Sequence, residues 1–182
     1  VAYLSNGIRY QREVFASAPD QVIVVRITAD KPASISFTAN LRGERNQAHS
    51  NYATDYFRMD PYGEDGLLLT GKSADYMGIT GALRYEARVK AVPEGGAIKT
   101  NGVNLVITNA DAVTLYFAAA TNFVNYKDVS ADQHRRVDDY LKGIENKPYT
   151  GILEQAVADH KKYFSRVSLQ LPVTENSFLP TP

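Results

Sequence analysis

The sequence predicts a mainly β chain, an antiparallel two-layer β-sandwich followed by two C-terminal helices. Three observations carry that expectation. Short runs alternate apolar and polar residues with period two as far as residue 122. Gly, Pro, Asn and Asp punctuate the runs. Beyond Asn122 the apolar period lengthens to about 3.6.

The first element is a hairpin, "YLSNGIRYQREVF" (3–15). Asn6-Gly7 supplies the two positive-φ positions of a type I′ turn, and Ile8, Tyr10 and Val14 fall at even spacings after it. Its first arm is short, which predicts a sandwich incomplete at its N-terminus. "QVIVVRI" (21–27) and "AVTLYFAAA" (112–120) are apolar on both faces, as central strands covered on two sides are. In "SISFTANL" Ile35, Phe37, Ala39 and Leu41 alternate with Ser34, Ser36, Thr38 and Asn40, which predicts one wet face. "ALRYEARVKAV" repeats the pattern, with Leu83, Tyr85, Ala87, Val89 and Ala91 inward and Arg84, Glu86, Arg88 and Lys90 in water. "PEGG" (93–96) and Asn101-Gly102 predict turns that join "ARVKAV", "AIKT" and "VNLVIT" into a meander.

Past Asn122, Ser130 followed by Gln133 reads as a capping box. Val137, Tyr140, Leu141 and Ile144 then line one helical face, with Arg135–Asp139 and Asp132–Arg136 at i,i+4 spacing. Pro148 opens a second helix, whose apolar stripe is Ile152, Leu153, Ala156, Val157, His160, Phe164 and Val167. "VSLQL" reads as a short period-two piece. The organisation expected is a sandwich over 1–122, a helical linker over 123–171 and a flexible, proline-containing tail over 172–182.

Composition excludes several classes of function. Lys and Arg together number 20, as do Asp and Glu, so no net field draws nucleic acid or an anionic membrane, and neither is an expected partner. There is no cysteine, hence no disulfide framework or thiolate metal site. No apolar run approaches the about 20 residues of a membrane span.

No phosphate loop, H-E-x-x-H or G-x-S-x-G motif is present, and His49, His134 and His160 lie far apart. No cofactor, metal ligand or catalytic residue is therefore expected in this chain. His160 reads as a packed imidazole and His134 as solvated helix surface. The stretch that resists the strand pattern is Asn40–Asp65. It holds Arg45, His49, Tyr52, Tyr56 and Arg58, rings beside hydrogen-bonding charges that suit a saccharide. The alternative is an additional irregular strand whose aromatics cover the sandwich edge.

Five stretches resemble one family in its own order: "REVFASAPDQVIVVRITADKPASISFTANL" (12–41), "GLLLTGKS" (66–73), "GALRYEARVKAVPEGG" (81–96), "NADAVTLYFAAATNF" (109–123) and "DHKKYFSRVSLQL" (159–171). They are similar to the N-terminal region of glycoside hydrolase family 95, the α-L-fucosidase and α-L-galactosidase family. The resemblance implies a supersandwich-like fold and linker helices leading into an absent (α/α)6 barrel, the expected partner. It implies a secreted or periplasmic parent whose inverting hydrolysis uses carboxylate and asparagine residues of that barrel. No residue of this chain matches those positions. Two other classes stay open, a carbohydrate-binding module and a scaffold domain without sugar contact.

Overall fold

The computed structural model describes residues 1–43, 57–170, 172–173 and 177. Ten strands and two helices are formed among them: β1 (Ala2–Ser5), β2 (Ile8–Ser17), β3 (Val22–Ala29), β4 (Ile35–Asn40), β5 (Phe57–Tyr62), β6 (Gly66–Lys72), β7 (Arg84–Glu94), β8 (Ala97–Asn101), β9 (Asn104–Ala110), β10 (Ala112–Thr121), α1 (Gln133–Ile144) and α2 (Tyr149–Phe164). A seven-stranded antiparallel sheet, β1-β2-β3-β10-β7-β6-β5, packs on a three-stranded one, β4-β9-β8. The two sheets form the expected sandwich. The helices cover the opposite face of the large sheet.

Two cores follow from this layering. Between the sheets lie Ile35, Leu67, Ala91, Leu105, Ile107, Ala110 and Val113, with Ile27 and Phe37 against them. Between the large sheet and the helices lie Val22, Val24, Ala118, Val137, Ile144 and Ile152. β10 is the middle strand, and its side chains alternate between the two cores. Val113 faces the small sheet and Ala118 the helices, which is why "AVTLYFAAA" is apolar on both faces.

Local chemistry sets the connections. Asn6 and Gly7 both have positive φ (50° and 69°), so the first hairpin turns as its sequence predicts. The meander is not formed. β7 belongs to the large sheet and β8–β9 to the small one, so the chain crosses between layers after Glu94 and returns before Ala112. Gly95 and Gly96 (φ 68° and 66°) make the first crossing. A Cβ on Gly96 would stand 2.3 Å from the Thr108 carbonyl oxygen, so only glycine fits there.

Part of the loop expected over 40–65 is the strand β5. It is an edge strand, as Pro61 within it requires, and pairs with β6 from Phe57↔Gly71 to Tyr62↔Gly66. Buried Asn122 marks the end of the strand pattern. Its side chain accepts from Arg84 N and donates to the Ala82 and Val129 carbonyls, tying β10 to the start of β7 and to the approach to α1.

The cap of α1 is Asp132, not Ser130. Its carboxylate accepts from His134 N (2.9 Å) and Arg135 N (3.1 Å). With Asp132 so used, Arg136 turns instead to the carbonyls of Thr121 and Phe123. Arg135 and Asp139 do approach, at 3.8 Å. Pro148 is the N-cap of α2. Ile152 and Ala156 are buried, but the stripe continues into solvent: Val157, Phe164 and Val167 are exposed, and His160 stacks on Phe164 instead of packing in a core. Residues 167–170 of "VSLQL" form no strand. No helix among the described residues is long and apolar enough to cross a membrane.

Candidate functional site

The face of β7 expected in water is covered by α1. Glu86 is 0% and Arg88 6% exposed. Their neighbours across the sheet are small or uncharged: Thr70 and Ala120 flank Glu86, and Leu68 and Ala118 flank Arg88, which leaves room for both long side chains under the helix. Ionised groups at such depth are retained only when paired. The helix supplies partners. His134 Nδ1 meets Glu86 Oε2, and Asp138 Oδ1 accepts from an Arg88 guanidinium nitrogen. Glu86 Oε1 and Arg88 Nε also face each other as an ion pair, without hydrogen-bond alignment.

Tyr62 of β5 completes the cluster. Its hydroxyl accepts from Arg88 at 2.9 Å, and its ring lies 4.3 Å below the guanidinium carbon. Burial works against the Arg88 charge, but the Asp138 hydrogen bond and the fields of Glu86 and Tyr62 outweigh it, and the guanidinium is held above its ordinary value. The helix is thereby seated in one position. His134 and Asp138 are one helical turn apart on α1, as Glu86 and Arg88 are one pleat apart on β7.

Beside this cluster a cleft of about 280 Å³ opens between the β5–β6–β7 end of the large sheet and the first turn of α1. Arg58, Lys72, Arg84 and His134 line it, with Thr70 and Gln133 and the backbone row of Phe57, Gly71 and Tyr85. Burial raises the Tyr85 phenol above its ordinary value, so it stays neutral at physiological pH. Among the described residues that line it, none is a carboxylate. The nearby acids are engaged: Asp60 takes Arg58 at 2.9 Å, Asp75 takes Lys72 at 3.2 Å, and Asp132 caps α1. Glycoside hydrolysis ordinarily needs two carboxyl groups about 5–9.5 Å apart across a substrate bond. Among the described residues such a pair does not line this cleft. No group of three His, Asp or Glu side chains able to hold a metal occurs among the described residues.

Of the five residues singled out in the sequence, Arg58 lines the cleft from β5. Arg45, His49, Tyr52 and Tyr56 lie outside the described residues. The flanks of that interval meet, since Gly43 packs against the ring of Phe57. His134, read as solvated helix surface, is exposed as expected and is also the partner of a buried carboxylate. Lys72, Arg84 and Tyr85 were not singled out because each sits in an ordinary strand pattern. The signal available was charge of one sign on facing strands, and that needs the register.

Known proteins match this chain over most of its length. A family described as "Glycosyl hydrolase family 65, N-terminal domain" matches residues 1–126, which is the whole sandwich. Alpha-L-fucosidase 2 of Arabidopsis thaliana is 28% identical over 187 residues, covering 94% of this chain and 22% of that protein. A solved structure described as a kojibiose phosphorylase from the human microbiome shares the fold, with a TM-score of 0.53 at 12% identity, over 90% of this chain and 22% of its own. The chain thus spans about a fifth of the length of each. Family 95, which the quoted stretches resemble, is not the family that this match names. Since the match runs through all ten strands, the chain belongs to the glycosyl hydrolase family 65 N-terminal domain family.

Proposed function

We propose that the chain is the non-catalytic N-terminal domain of an exo-α-L-fucosidase-type glycosidase, in the manner of family 95, and that it packs against an (α/α)6 barrel that performs the inverting hydrolysis. The observation that carries this reading is the second half of α2. Val157, Tyr163, Phe164, Val167 and Leu169 are all exposed and apolar along a helix and its continuation, where a monomer ordinarily places polar residues. A barrel packed on that stripe would cover it. The fucosidase relative supports the substrate class. A secreted or periplasmic setting belongs to the same reading, as does the loan of the Asn40–Asp65 stretch to the barrel's rim.

The test is an assay of the purified chain and of its full-length parent on nitrophenyl α-L-fucoside and fucosylated oligosaccharides. The parent is expected to release fucose with inversion and the chain to release none. Turnover that tracks with the pure chain would overturn the division of labour, and an inactive parent would overturn the substrate class.

A second reading, a carbohydrate-binding module, is favoured by one groove. About 330 Å³ of space lies between the first hairpin and β4, lined by the stacked rings of Tyr3 and Tyr10 (5.4 Å), by Arg12 and by serine hydroxyls. Saturable amide shifts at Tyr3 and Tyr10 on titration with fucose or galactose would support it. Unchanged spectra would remove it.

A further inference from the structure

We propose that the cleft between β5–β6–β7 and the first turn of α1 is a binding site for an anionic saccharide, a sugar that carries a carboxylate or a sulfate ester. The register supplies the first argument. Lys72 and Arg84 stand directly opposite each other on β6 and β7, and Arg58 lies on the next strand opposite Thr70. Like charges facing across an antiparallel pair destabilise it unless an anion sits between them or near them.

Charge pairing within the chain relieves this only in part. Asp75 takes Lys72 and Asp60 takes Arg58, but among the described residues Arg84 has no carboxylate partner. Glu86, the acid nearest in register, does not neutralise it either, because it is fully buried and already held by Arg88 and His134. What remains is a planar guanidinium with paired donors, the geometry that fits a carboxylate or sulfate oxygen pair.

The rest of the cleft fits a sugar. On the same face of the sheet as the cations, Thr70 stands opposite Arg58, and His134 approaches from the first turn of α1. The Thr70 hydroxyl and His134 offer hydrogen bonds to the hydroxyls of a pyranose held there by its anionic group. Membership of a glycosyl hydrolase domain family makes a saccharide the fitting carrier of the anion. The proposal is independent of the fucosidase reading, since it concerns a site on this chain and no bond is broken there.

The experiment is a titration of the 182-residue chain, followed by calorimetry and amide NMR, with a galacturonate oligosaccharide, a sulfated galactan oligosaccharide, a neutral galacto-oligosaccharide and sodium sulfate. Saturable binding of either anionic saccharide, weakened by added salt, is expected, with shifts at Arg84 and Tyr85; the arm that binds identifies the anion. Arg84→Gln is expected to weaken it at least about tenfold without lowering thermal stability, because the side chain is exposed and its loss relieves the repulsion of Lys72. The proposal is overturned if neither anionic saccharide binds, if the neutral one binds as well, or if Arg84→Gln leaves the affinity unchanged. Sodium sulfate matching the saccharides would mark an adventitious ion only, and would overturn it too.

Discussion

Deleting the charge of Arg88 would leave Glu86 fully buried without its guanidinium partner and would take from Asp138 its hydrogen-bond donor. Breaking a buried pair from one side costs about 3–5 kcal/mol, whereas replacing both members with well-packed apolar groups is often neutral or better. Arg88→Met is therefore expected to lower unfolding stability by several kcal/mol, and Glu86→Leu combined with Arg88→Met to recover much of it. Urea denaturation of the two variants measures the difference; equal losses in both would show that the cluster contributes nothing through its pairing. At this scale the sequence was legible in half. The alternation through Tyr85–Ala91 gave the two faces of β7 correctly, but alternation cannot say what covers a face. The partners of Glu86 and Arg88 come from a helix some 50 residues later.

The elements depend on their ends. Asp132 accepts from two backbone amides of α1, led by that of Arg135, and these bonds hold its carboxyl below the ordinary 3.8. The capping contribution is accordingly complete above that ordinary value and is lost as pH falls through the depressed folded one. Acid titration is expected to release the His134 and Arg135 amides together, below pH 3.8, with Asp132→Asn retaining the cap at low pH and Asp132→Ala lacking it at every pH. Amide NMR shifts follow both; release above the ordinary carboxylate range would contradict the assignment. Ser130 and Gln133 fit the capping motif in sequence, yet Asp132 is the nearer oxygen once Ala131 N is bonded to the Asn122 carbonyl. The hairpin at Asn6-Gly7 was legible because a turn is a local event. The assignment of β8 and β9 to the other sheet was not, since a strand with one buried face satisfies its pattern in either layer.

For the whole molecule, the family match ends at residue 126, just before the helices begin. The sandwich it covers is nonetheless incomplete as a folded unit, because Val22, Val24, Ala118, Glu86 and Arg88 are buried only under α1 and α2. A chain ended at residue 131 would expose that core and strand two charges without partners. It is expected to aggregate or to unfold at markedly lower urea than the full chain, even though every strand is retained; sedimentation and denaturation of the two lengths compare them directly. Equal stability would mean that the helices ride on the sheet without supporting it.

The double crossing between layers bears on how such a molecule folds. β7 and β10 pair from Tyr85↔Thr121 to Glu94↔Ala112, and the whole of β8 and β9 is an excursion between them. Closing residues 95–111 costs far less chain entropy than closing residues 30–111, so β10 reaches β7 more readily than it reaches its other neighbour, β3. The expected kinetic consequence is that β10 joins β7 before β3 joins β10, with the hairpin of the small sheet brought to the growing core by the strands that bracket it. β3 and β6 then have a formed edge on either side against which to add.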